Sequence, residues 1–184
     1  MLDSKPQPTP MISSLRLIVD PTLYRSVVGA LQYVTLTHPQ LSFSVNKVCQ
    51  FMNNTQLTHW KEVKRILWYL AGTTTQGLHL YPSPSYSVVS FSDSDWATDL
   101  DDRKFISGYC IYVDRNLISW SSKKQNVFSR SSTEAEYGSV VAALMNIIWI
   151  KSLMDELCLT TPTPRLYSDN MEVVQLVTNP VMHS

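Results

Sequence analysis

Apolar residues recur along the first part of the chain at the three- and four-residue spacing of amphipathic helices, and farther on at the two-residue spacing of strands. Residues 1–20 are rich in Pro and Ser without clear periodicity and read as a linker or extended arm. Pro21 opens a first helix carrying Tyr24, Val27, Val28 and Leu31, and Pro39 opens a second carrying Phe43, Val45, Val48 and Phe51. A third helix takes Thr58 as its N-cap, aligns Trp60, Val63, Leu67 and Leu70 in one stripe, and meets Gly72 where a C-terminal cap belongs. Lys61, Lys64 and Arg65 fall largely off that stripe.

After Gly77 the pattern changes to short β-like runs at Leu78 to Tyr81, Ser87 to Ser92, Ile106 to Val113 and Leu117 to Trp120, with Pro82 and Pro84 marking the change. A long helical pattern follows from about Thr133 to Leu157, then a short strand ending near Tyr167 and a helical segment through Val177. This predicts an arm over 1–20, a small helical segment over 21–77 and a mixed α/β domain over 78–184.

Composition supports a packed globular chain: 44% of the 184 residues are hydrophobic, 10% aromatic and only 16% charged, which suggests that some surface is normally covered. Net charge is zero, so nucleic-acid contacts would depend on local basic clusters. Cys49, Cys110 and Cys158 are odd in number and lack CxxC pairing, which fits reduced thiols and an intracellular location better than a disulfide or zinc framework. The N-terminal residues carry prolines and charges where a signal peptide needs an apolar run, and no stretch is expected to reach transmembrane length. No membrane partner is expected.

Candidate chemistry centres on carboxylates. Asp93 follows the run Ser87 to Ser92, Asp169 follows Arg165 to Ser168, and Glu136 lies in the first turns of the long helix. Adjacent strand ends would bring the two aspartates together. Three clustered carboxylates repel one another unless cations intervene, and hard divalent ions prefer oxygen ligands. Each acid also has a purely structural account. Asp93 and Asp95 suit an Asx turn, Glu136 a capping box from Thr133 and Glu134 one from Ser131, and Asp169 an N-cap. Arg103, Lys104, Lys123, Lys124 and Arg130 flank predicted strands and could meet phosphates, with Trp96 and Trp120 available for stacking; solvated charges and core packing are the commoner outcome for such residues. The four histidines show no metal-ligand spacing.

Four motifs in order resemble the ribonuclease H domain of copia-type retrotransposon polyproteins: Phe-Ser-Asp-Ser-Asp-Trp-Ala at 91–97, Asp-Arg-Lys-Phe-Ile-Ser-Gly-Tyr at 102–109, Ile-Ser-Trp-Ser-Ser-Lys-Lys-Gln at 118–125 and Ser-Arg-Ser-Ser-Thr-Glu-Ala-Glu-Tyr at 129–137. Tyr-Ser-Asp-Asn at 167–170 and Asn-Pro-Val-Met-His-Ser at 179–184 continue the likeness, and residues 24–33 and 59–70 resemble the reverse transcriptase tail that joins polymerase to nuclease. The resemblance implies an α/β ribonuclease H-like mixed sheet with flanking helices, preceded by the helical segment, and hydrolysis of the RNA strand of RNA–DNA hybrids with two Mg²⁺ or Mn²⁺ ions. It implies Asp93, Glu136 and Asp169 as catalytic metal ligands, with Asp95 and Glu134 as alternatives within their motifs. Residues 134 and 136 stand about 200° apart around a helix, so both cannot face one centre. Partners implied are nucleic acid and the remainder of the polyprotein. Phe105 and Ile106 depart from the small hydroxyl residues usual there. The family pattern also continues past position 184 through a fifth strand and a helix with the fourth acid, so this chain by itself is expected to cleave poorly, and an inactive nucleic-acid-binding remnant is the alternative.

Overall fold

The computed structural model describes residues 20–95, 104–125, 129 and 131–178. Helix α1 spans Pro21–Val34; Asp20 caps it by accepting a hydrogen bond from the Thr22 N–H at 2.9 Å, and Tyr24, Val28 and Leu31 are its buried face. A 3₁₀ turn at Pro39–Leu41 leads into α2, Ser42–Cys49, which buries Val45 and Val48 and leaves Phe43 exposed. Helix α3, Leu57–Gly72, starts one residue before the expected cap. Gln56 and His59 form a reciprocal capping box instead, with His59 Nδ1 accepting from the Gln56 N–H at 3.1 Å, so Thr58 is already helical. Val63 and Ile66 are its buried residues, whereas Leu67 lies exposed.

Strand β1 is Val88–Asp95, β2 is Ile106–Val113 and β3 is Asn116–Lys124; helix α4, Ser132–Glu156, then crosses to β4, Arg165–Tyr167, before α5, Met171–Thr178. The sheet order is β3-β2-β1-β4, with the first three strands antiparallel and β4 parallel to β1. This mixed α/β sheet with flanking helices, preceded by three helices, is consistent with the ribonuclease H-like class.

Residues Leu78 to Tyr81 do not form the expected strand. The Leu78 N–H donates to the Thr37 carbonyl at 2.9 Å, and Asn116 brackets Tyr81, accepting from its N–H at 2.7 Å and donating to its carbonyl at 2.9 Å. A side-chain clamp thus replaces a ladder that Pro82 could not continue.

Buried side chains form two clusters. One gathers Tyr24, Val28, Leu31, Val45, Val48 and Val63 between the first three helices. The other gathers Val88, Ile111, Val113, Ile147, Ile150 and Met154 between α4 and the sheet. Asn46 in α2 donates to the Ser122 carbonyl of β3, joining the helical segment to the sheet edge. Phe105 is buried, with its ring 3.6 Å from where a Cβ on Gly138 of α4 would stand.

Contrary to the expectation that no stretch reaches transmembrane length, α4 is long and apolar enough to cross a membrane by length and composition. Periodicity does not mark its two sides because apolar residues occupy both the face on the sheet and the face away from it.

Candidate metal centre

Parallel pairing of β4 with β1 sets Ser90 opposite Leu166 and Phe91 opposite Tyr167, so Asp93 and Asp169, each two residues beyond Phe91 and Tyr167, leave the sheet at the same end. Helix α4 packs across β1 and delivers Glu136 there from its second turn. One carboxylate oxygen from each of Asp93, Glu136 and Asp169 lies within 4.8 Å of the others. Phe91 and Tyr167 stack beside them with ring centroids 5.4 Å apart.

Ser131, not Thr133, caps α4, accepting from the Glu134 N–H at 3.1 Å, while the Thr133 hydroxyl donates to Glu172 at 2.7 Å. Asn170, not Asp169, caps α5, accepting from the N–H groups of Glu172 and Val173 at 3.0 and 3.2 Å. Glu136 and Asp169 therefore have no capping duty. Asp93 does accept from the adjacent Ser94 N–H at 2.7 Å. Glu134 is exposed and Glu136 buried, the division expected from their angular separation.

Glu136 is 7% exposed, and its Oε2 is buried with no hydrogen-bond partner. Burial, then the charges of Asp93 and Asp169, push its carboxyl up to about 7; the Ser94 backbone N–H offsets this in part, and Asp95 adds to it. A buried carboxylate oxygen without a donor, beside two more carboxylates, suits a cation, because neutralising the cluster removes repulsion and desolvation cost together.

The raised pKa has a definite sign in stability. The folded chain holds this proton more tightly than the unfolded chain, so metal-free protein should lose stability as pH rises from about 4.5 to about 7, by up to about 3 kcal/mol. Urea midpoints across that window should fall in the parent chain and stay much flatter in Glu136→Gln; parallel curves would show that Glu136 is not the titrating group.

Among the basic candidates, Lys123 and Lys124 pair with Ser107 and Ile106, and Ile106 in turn pairs with Asp95, so both lysines stand at the sheet end that carries the acids. Lys104 precedes β2 at the same end. Arg103, Arg130 and Trp96 lie outside the described residues, as do residues 1–19 and 179–184. Trp120 sits half-buried in β3 opposite Cys110. Cys49 and Cys110 are half-buried free thiols whose pKa burial raises, and Cys158 is exposed. Sequence reasoning missed the Ser94 N–H and the Phe91–Tyr167 stack; the two-residue spacing of each aromatic from its aspartate was the available signal.

Transposon proteins match the chain along its whole length. The retrovirus-related Pol polyprotein from transposon RE2 of Arabidopsis thaliana is 44% identical over 192 aligned positions, and that from transposon TNT 1-94 of Nicotiana tabacum is 33% identical over 198. The chain spans only 13% and 15% of their lengths. A protein named secreted RxLR effector protein 161, from Plasmopara viticola, is 38% identical over 128 positions, covering 69% of this chain and 90% of its own length. No protein-family model and no solved structure matches the chain.

Proposed function

This chain belongs to the retrovirus-related Pol polyproteins of transposons, as a segment of their length, and from that premise we propose that it is the part in which a reverse transcriptase tail joins a ribonuclease H domain. Its parent polyprotein hydrolyses the RNA strand of RNA–DNA hybrids, with Asp93, Glu136 and Asp169 holding two Mg²⁺ or Mn²⁺ ions. The observation that carries this reading is the convergence of three acids from β1, α4 and the β4 end, one of them with a buried, unpartnered oxygen.

Bound divalent ions would supply an activated water and neutralise charge on the leaving oxygen. The chain's own contribution is placement. Asp93 and Asp169 are exposed and open to a phosphate approaching the sheet end. Glu136 anchors the cluster from below, held by a helix that packs on β1 and β2. Lys123, Lys124 and Lys104 offer positive charge to a nucleic-acid backbone at the same end, and Arg103 and Arg130 are further candidates for that contact.

Titration of Mn²⁺ followed by electron paramagnetic resonance tests the metal assignment. Asp93→Asn and Asp169→Asn should each weaken binding about tenfold or more, since each removes a charged ligand from a shared ion. Unchanged affinity in both variants would return the acids to a structural role.

A further inference from the structure

Gln125 closes the motif at 118–125, whose two lysines are candidates for phosphate contact, and it stands one residue past the end of β3. Its backbone N–H donates to the Phe105 carbonyl at 2.9 Å, and its side-chain Nε2 donates to the hydroxyl of Ser107, a buried residue of β2. Gln125 thus grips the start of β2 on both sides of Ile106. Ile106 pairs with Asp95, and Ser107 pairs with Ser94.

What β2 holds in turn is the end of β1. Strand β4 pairs with β1 only from Val89 to Phe91, so within the sheet the stretch from Ser92 to Asp95 is held from the β2 side alone. The Ser94 hydroxyl is buried with no hydrogen-bond partner among the described residues, so the side chain gives its residue no anchor. The Ser94 backbone N–H, by contrast, meets two acids: it donates to Asp93 Oδ1 at 2.7 Å and hydrogen-bonds the Glu136 carboxyl. One N–H shared by two carboxylates eases their repulsion only while it stays between them.

We propose that Gln125 is a positioning residue for the acid cluster: by locking the start of β2 it fixes the end of β1, and so keeps the Ser94 N–H between Asp93 and Glu136. The role rests on the reading of those acids as metal ligands. Such ligands must be held within about 0.5 Å of their working geometry, so slack at the start of β2 reaches the site without unfolding the sheet. A neutral amide suits the duty, because it donates to a buried hydroxyl without bringing a charge that would compete with a bound cation.

Amide NMR of the metal-free chain gives a readout independent of activity. Gln125→Met, which keeps the length of the side chain and removes its donor, should shift the Ser94 amide proton upfield. Ser107→Ala should do the same, and the double variant should go no further, since either change opens the same contact. In Mn²⁺ titrations followed by electron paramagnetic resonance, both single variants should bind about tenfold more weakly, the low end for groups that orient metal ligands. Ser90→Ala is the control: Ser90 is fully buried on the same face of β1, and its hydroxyl donates to the Cys110 carbonyl at 3.1 Å, so it loses a comparable bond away from the acids. It should move neither readout. A parental Ser94 resonance or parental Mn²⁺ affinity in Gln125→Met, alongside weakened binding in Asp93→Asn, overturns the positioning role and leaves the metal reading standing. Affinity unchanged in Asp93→Asn as well removes both. Losses that Ser90→Ala reproduces overturn the role by showing a general loosening of the sheet.

Discussion

In the intact polyprotein, Asp93→Asn and Asp169→Asn are each expected to slow cleavage of the RNA strand of a labelled RNA–DNA hybrid about a thousandfold, equivalent to about 4 kcal/mol of lost transition-state stabilisation. Each change keeps the shape of the side chain and removes its charge, so the loss should fall on the chemical step and not on folding. The 4.8 Å convergence makes the two substitutions non-additive. A double variant should be little slower than either single one, because one missing ligand already spoils the shared ion positions. Glu136→Gln should act in the same direction while stabilising the metal-free fold at neutral pH, since it replaces a buried acid whose ionisation is opposed by burial and by Asp93 and Asp169. Single-turnover rates on the hybrid, with unfolding midpoints for each variant, separate these effects. Cleavage at parental rate by Asp93→Asn and Asp169→Asn would remove the acids from the reaction, whatever their affinity for metal.

The second large effect concerns the helical segment. Tyr24 is fully buried, its hydroxyl donates to the Val48 carbonyl at 2.8 Å, and its ring lies 6.1 Å from that of Trp60, so it ties α1 to both α2 and α3. Tyr24→Ala is expected to cost about 3–5 kcal/mol through lost burial and the cavity left behind. Tyr24→Phe should cost about 1 kcal/mol, the net contribution of the hydrogen bond. Because the helical cluster and the sheet cluster share no buried residue, amide exchange in Tyr24→Ala should accelerate across α1 to α3 while β1 and β2 keep most of their protection. Equal loss of protection in both would show that the contact of α2 with β3 couples them into one cooperative unit.

Local chemistry alone determined a good share of this architecture. Pro21 and Pro39 mark helical starts because proline lacks the N–H that a first turn leaves unused, and the buried face of α1 is the stripe its spacing predicts. Strand β2 has the bounds its alternating pattern and flanking turn residues imply, and the angular argument separates Glu134 from Glu136 without any coordinates. Other features were decided only when distant segments met. Ser131 and Thr133 both fitted a cap of α4 in sequence and Asp169 a cap of α5, yet Ser131 and Asn170 hold those positions, because each cap depends on where the helix begins and which N–H groups its fold leaves open. Leu78 to Tyr81 had strand-like residues but no strand to pair with, and Asn116 took their backbone groups. The two sides of α4 were indistinguishable by periodicity, and the sheet chose which one to bury. The metal candidate is the clearest case. Motif resemblance nominated Asp93, Glu136 and Asp169, but their meeting requires β4 to pair parallel to β1 after a 25-residue helix has crossed the sheet. Residue spacing encodes which face a side chain shares with its near neighbours; it carries no record of long-range pairing, and that pairing is what brings three mutually repelling acids together.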